Sequence, residues 1–180
     1  MIYVFLAEGF EEMEAIAPID LLRRAGCDVR VAAVGDSLVV KGAHGIAVTA
    51  DISESDVTTD GLQAVVLPGG MPGTLNLEAS AVVQDTIAYA YDNDLVLGAI
   101  CAAPSVFGHR GFLNGKRAVC YPGFENDLHG AIVENASVVT DGRIITAKGA
   151  GVADQFGLAL VAALVDETTA NSLREGIQCR

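Results

Sequence analysis

The chain has 180 residues, 51% of them hydrophobic, with 20 glycines and a formal net charge of −12 from 23 acidic and 11 basic side chains. That length fits one domain, residues 1–180, with a sizeable buried core, and the composition excludes a disordered or fibrous chain. The acidic balance speaks against nucleic acid and anionic membrane surfaces as partners, because both would repel it.

Strand and helix signals alternate along the chain. "IYVFLA" (2–7) reads as a short apolar strand, and Glu11–Ala25 as a helix stopped by Gly26. "DVRVAAV" (28–34) is the next strand, and "LVVKGAHGIAV" (38–48) alternates around glycines like a hairpin. "LQAVVLPGG" (62–70) predicts a buried strand entering a Pro-Gly-Gly turn, followed by one helix to about Ala90. "LVLGAI" (95–100) is another buried strand, with a helix beginning near Ala103. "RAVCY" (117–121) reads as a strand, and "SVVTDGRIITA" (137–147) as a hairpin around Asp141-Gly142. An apolar helix over Gly151–Val165 and a short terminal helix complete the pattern. Near-continuous Val/Ile/Leu strands alternating with helices imply an α/β fold with a mainly parallel sheet covered on both faces. Ligands in such sheets sit beyond the carboxyl ends of the strands, where strand order reverses.

The opening "MIYVFLA" lacks the basic start and long apolar centre of a signal peptide, and no run nears the roughly 18 apolar residues that span a bilayer. A soluble, cytoplasmic protein is expected. Cysteines 27, 101, 120 and 179 are scattered, with no C-x-x-C pair and no His/Cys cluster of metal spacing. They read as free thiols, and neither a metal nor a cofactor is expected.

Three features fall just past strand ends: the acid-rich segment after the first strand, the Pro68-Gly69-Gly70 turn, and Cys101. A strand-to-helix turn sets the Cys101 thiol over a first helical turn, which lowers a thiol pKa and favours a nucleophilic thiolate. A buried, inert core thiol fits the same stretch equally well. Glu14 shares its helical sector with Pro18, Leu21 and Ala25, while Asp20, Arg23 and Arg24 point elsewhere. A carboxylate on an apolar face is costly unless paired or protonated, although most glutamates simply reach solvent. Gly69 and Gly70, with the Ala102 amide, could form an oxyanion hole, or merely a tight turn. No histidine adjoins Cys101: His44 lies in a glycine-flanked turn, while His109 and His129 read as surface residues. Glu14 is therefore the better proton carrier. Cys27 and Cys120 read as core or strand-end thiols, Cys179 as exposed, and the acids of 51–60 as a solvated loop.

"EGFEEMEAIAPIDLLRRAG", "VVLPGG", "GAICAAP" and, more loosely, "TAKGAG" together resemble the ThiJ/PfpI superfamily, in the branch of the Parkinsonism-associated protein deglycase. The resemblance runs over essentially the whole chain. It implies a flavodoxin-like three-layer α/β/α sandwich, of the class I glutamine amidotransferase type, that forms a homodimer. It also implies Cys101 as a readily oxidised nucleophile on a strained elbow, Glu14 as the protonated acid beside it, Gly70 and Ala102 as backbone donors, and Glu11 as a further acid at the pocket rim. The chain departs from the pattern where Tyr121 replaces a histidine found in several relatives, and where His44 replaces an anion-binding arginine. "GAG" at 149–151 replaces Gly-Pro-Gly. Ala102 stands where the peptidase members place a histidine, which speaks against peptidase activity.

The function these residues imply is a cofactor-free enzyme of the glyoxalase or deglycase type. It would convert small 2-oxoaldehydes to 2-hydroxy acids through a Cys101 thiolate, with Glu14 shuttling the proton. The alternative is a non-enzymatic oxidative-stress sensor or chaperone-like protein read out by Cys101 oxidation. A flavodoxin-like nucleotide binder fits the fold, but "AEGFEEME" is acidic where a phosphate cradle needs glycines and hydroxyls.

Overall fold

A computed structural model describes residues 1–179. Its centre is a seven-stranded sheet built from β1 (Ile2–Leu6), β2 (Val29–Ala33), β5 (Ile52–Ser53), β6 (Ala64–Leu67), β7 (Val96–Ile100), β10 (Val138–Asp141) and β11 (Ile144–Ala147). The order is β10-β11-β7-β6-β1-β2-β5, and every pairing is parallel except the β10–β11 hairpin. Gly142 and Arg143 turn that hairpin, one residue beyond the expected Asp141-Gly142 because Asp141 still pairs with Ile144, and Gly142 takes φ +63° as the tight reversal requires. β3 (Val39–Lys41) and β4 (Ala47–Thr49) form a separate hairpin beside the sheet, as their glycine-rich connection implied.

The alternation of β1 sorts the two cores. Ile2, Val4 and Leu6 pack with Ala15, Ile19 and Leu22 of α1 (Glu12–Arg24) and with Phe156, Leu160 and Val161 of α5 (Ala153–Leu164). Tyr3 and Phe5 face the other way, onto Val83, Ile87 and Ala90 of α3 (Ala81–Asp92) and Val106 and Phe107 of α4 (Pro104–His109). Successive strand side chains point to opposite faces, so a strand buried throughout needs a helical layer on each side. The result is the expected α/β/α sandwich.

Four local expectations change. The helix anticipated after Gly70 is two, α2 (Gly73–Ala79) and α3, because Ser80 takes an extended conformation and its hydroxyl accepts from the Val83 N–H as an N-cap. The strand anticipated over 117–121 shrinks to β8 (Arg117–Ala118), which pairs with β9 (Ile132–Val133), a strand too short to leave a pattern. A 3-10 turn at 150–152 precedes α5, and α6 (Glu167–Gly176) is the terminal helix. The acids near residue 51 are tied down: Asp51 accepts from Val31 N and pairs with Arg23 at 2.6 Å, while Glu54 accepts from Gly35 N and Ser80 Oγ.

From β1 the chain runs outward to β2 and β5, then crosses back to β6, β7 and β11 on the other side. The order therefore reverses between β1 and β6, and β7 is the next strand along. The segments leaving these three carboxyl ends are those that carry Glu11–Glu14, Gly69–Gly70 and Cys101.

Candidate active site

Cys101 leaves β7 in a left-handed conformation, φ +66°, which costs a side-chain-bearing residue on the order of 1–2 kcal/mol. Neighbours hold it there. Its N–H donates to Ala147 O at 2.9 Å, at the end of β11, and its carbonyl accepts from Tyr121 N at 2.8 Å. The conformation turns the half-buried thiol toward α1 and the Gly69 turn.

Glu14 meets it from α1. The side chain is 1% exposed, as the apolar helical sector implied. Its Oε2 accepts from Gly69 N at 2.9 Å, and the equally buried Oε1 has no hydrogen-bond partner. A Cβ built on Gly69 would lie 2.6 Å from both Cys101 Cβ and Glu14 Oε2, so residue 69 is glycine because acid and thiol close over its α-carbon. Gly70 has φ +90°, and a Cβ there would strike the Gly9–Glu11 backbone. Gly69 therefore orients Glu14 and is not a free oxyanion donor, since its N–H is already taken. The N–H groups of Ala102 and Gly70 are the ones directed at the sulfur.

Burial, with the Glu11 charge adding to it, raises Glu14 from the usual 4.5 to about 7, against the opposing pull of the thiol and the Gly69 amide. Burial, the facing Glu14 charge and the hydrogen bond to it push the Cys101 thiol up to about 12. The expectation of a lowered thiol pKa is corrected. α4 is a six-residue helix that begins only at Pro104, so little dipole reaches the sulfur, and the amides of Ala102 and Gly70 are outweighed. Acid and thiol hold one proton between them above neutral pH.

Of the remaining candidates, some adjoin this pair and others lie elsewhere. Glu11 is the N-cap of α1, its Oε2 accepting from Glu14 N at 2.8 Å, which fixes the turn that carries Glu14. Tyr121 is 50% exposed; its backbone clamps Cys101, and its ring lies over Gly149. His44 sits at the rim with its ring Nδ1 2.8 Å from Glu12 Oε2, and Glu12 raises its pKa. His109 pairs with Glu78 at 2.6 Å and lies 5.3 Å from the His129 ring, away from β7's end, as their surface assignment implied. Cys179, expected to be exposed, is partly covered, and its thiol donates to Asp154 Oδ2 at 2.7 Å.

Sequence reasoning missed Glu12. It is 6% exposed, and its Oε1 accepts from the N–H groups of His44 and Ile46, tying the β3–β4 turn to the start of α1. An acid in a first helical turn is the ordinary complement to the helix dipole, so nothing local marks it as buried.

The chain matches the DJ-1/PfpI family over residues 1–163. It is 35% identical to protein dj-1beta of Drosophila melanogaster over 97% of this chain and 94% of that protein. It is 31% identical to a deglycase of Pyrococcus abyssi, over 83% of this chain and 90% of the relative. Against protein DJ-1 homolog B of Arabidopsis thaliana it is 37% identical, over 92% of this chain but only 38% of that longer protein. The crystal structure of a C103A mutant of a DJ-1 superfamily protein from Salmonella typhimurium superposes with a TM-score of 0.93 at 36% identity, covering 98% of this chain and 97% of the other. Oxidized DJ-1 of Toxoplasma gondii gives 0.94 at 32%, with the same coverages. Among the described residues, no helix is long and apolar enough to cross a membrane.

Proposed function

Because the chain belongs to the DJ-1/PfpI family, we propose that it is a cofactor-independent glyoxalase or deglycase, acting on small 2-oxoaldehydes or their early adducts. The observation that carries the reading is the fully buried Glu14 carboxyl, one oxygen unpartnered, beside the half-buried thiol of Cys101. A buried, orphaned carboxyl oxygen is costly unless a ligand or proton completes it.

The reaction balances without a co-reactant other than water. Glu14 takes the thiol proton as the sulfur adds to the aldehyde carbon, giving a hemithioacetal. The oxyanion formed would lie against the amides of Gly70 and Ala102, an interaction worth about 3 kcal/mol in comparable sites. Glu14 returns the thiol proton to that oxyanion, which completes the hemithioacetal, and as a carboxylate again it moves the proton from the former aldehyde carbon to the neighbouring carbonyl carbon through an enediol. That transfer reduces the ketone as it oxidises the aldehyde to a thioester. Water hydrolyses the thioester, releasing a 2-hydroxy acid and the free thiol. Tyr121 and His44 are proposed to contact substrate, in a protein proposed to work as a homodimer in the cytoplasm.

The test is turnover of a panel of 2-oxoaldehydes by wild type, Cys101→Ala and Glu14→Gln, with the product identified. Retained turnover in Cys101→Ala sinks the mechanism. A second reading, a redox sensor, has support in the same geometry, since a protonated Glu14 can donate to a sulfinate on Cys101, and in the oxidized state recorded for the Toxoplasma gondii relative. Mild peroxide followed by mass spectrometry separates the two. A sensor oxidises stoichiometrically at Cys101 and changes a binding property, whereas an enzyme only loses turnover.

A further inference from the structure

We infer that Glu11, Glu12 and His44 form a binding site for a divalent ion of the Zn²⁺ class at the rim of the crevice. One ligand atom from each lies within 4.8 Å of the other two. The His44 Nδ1 stands 2.8 Å from Glu12 Oε2 and 3.9 Å from Glu11 Oε1. Nitrogen and oxygen ligands bound to zinc at about 2.0–2.2 Å lie roughly 3.0–3.5 Å from one another in octahedral or tetrahedral arrangements. The two gaps from the imidazole straddle that range, and with all three atoms within 4.8 Å of one another, side-chain rotations of Glu11, Glu12 and His44 bring them onto one ion.

The division of labour within each carboxylate is what points to a metal. Glu11 Oε2 is spent on the Glu14 N–H, which leaves Oε1 toward His44. Glu12 Oε1 is spent on the N–H groups of His44 and Ile46, which leaves Oε2 toward the same nitrogen. Backbone donors thus orient both carboxylates, as outer-shell partners orient metal ligands. The side chains of Glu11 and Glu12 are only 15% and 8% exposed, while that of His44 is 70% exposed and leaves the remaining coordination positions open to water. One imidazole nitrogen with two carboxylate oxygens suits zinc, cobalt or nickel better than calcium or magnesium, which prefer oxygen alone. The ion would pin the β3–β4 turn to the first turn of α1.

The test is calorimetric titration of Zn²⁺ into chelator-stripped protein carrying Cys101→Ala, which removes the most reactive competing ligand. One ion per chain is expected. His44→Ala and His44→Arg, added to that background, should each weaken binding about tenfold or more, with Glu11→Gln and Glu12→Gln following. His44→Arg is the decisive variant, because arginine keeps the charge pair with Glu12 yet cannot ligate a metal. Circular dichroism checks that each variant folds. Co²⁺ in place of Zn²⁺ should give visible d–d bands with no sulfur-to-metal charge-transfer band. Binding unchanged in His44→Arg, no binding in the Cys101→Ala protein, or a sulfur charge-transfer band would each overturn the site.

Discussion

Glu12 and Glu14 stand two residues apart on one helix, both almost sealed from water, and their proton affinities move in opposite directions. Burial acts to raise each, but at Glu12 the His44 ring and the surrounding N–H groups more than offset it, and the carboxyl is held below its usual range. At Glu14 the Cys101 thiol and the backbone N–H groups pull the same way, but burial, with the Glu11 charge adding to it, wins, and its pKa rises to about 7. Deeper burial at Glu14 and the richer supply of donors at Glu12 together separate a proton carrier from a structural acid.

The largest test of that contrast is kinetic. Under the proposed mechanism, Glu14→Gln should cost about 10²–10⁴ in turnover, a range typical for a lost general acid–base, because glutamine cannot carry the proton. Glu12→Gln should leave most of the turnover in place. Equal losses in the two variants would erase the distinction.

Gly69→Ala drives a methyl group between Cys101 and Glu14. It should destabilise the fold by about 1–3 kcal/mol, measured by urea unfolding, and cripple the site together with the fold. Glu12→Ala strands the amides of His44 and Ile46 and should cost about 1–3 kcal/mol in the same measurement.

Glu14 also predicts a pH signature. Its folded pKa, about 7, lies above its ordinary 4.5, so the folded state binds the proton more tightly than the unfolded chain does. That contribution is whole below the unfolded value and is lost as pH rises toward 7. Glu14→Gln should therefore flatten the decline and be the more stable protein at pH 8, by about 1–3 kcal/mol. A wild-type profile that rises over this window would refute the assignment.

The smallest effect lies far from the crevice. Glu78 raises the His109 pKa, so their pairing stabilises below the unfolded value of about 6.5 and fades as pH climbs through the folded one. Glu78→Gln should remove this partly exposed pair at a cost of under about 1 kcal/mol, visible only on the acidic side.

Much of this was legible in the linear chain, for local reasons. The apolar strand runs and the Gly26 stop after α1 depend on near neighbours and stand where the pattern put them, and the β10–β11 turn falls one residue beyond the expected Asp141-Gly142. Glu14's burial could be read because helical periodicity sets it beside Pro18 and Leu21. The break at Ser80 was also written locally, in a serine three residues ahead of the amide it caps, but the apolar periodicity on both sides masked it. The pairing of β8 with β9 was not legible, since two residues on each side carry no period.

The sequence by itself determined the layered α/β architecture, the buried acid on α1 and the cysteine past β7, because periodicity, turn chemistry and motif spacing are properties of neighbouring residues. Only the tertiary structure decided how those groups behave. Gly69 brings Cys101 and Glu14 together across 87 residues of chain, reckoned from their positions, 101 − 14. Desolvation and mutual repulsion then raise the thiol where a helix terminus alone would have lowered it. Likewise His44 reaches Glu12 only because the β3–β4 turn folds back over the start of α1. Proton affinity and ligand geometry depend on what surrounds a group in space, and that surrounding is assembled from segments that sequence spacing keeps apart.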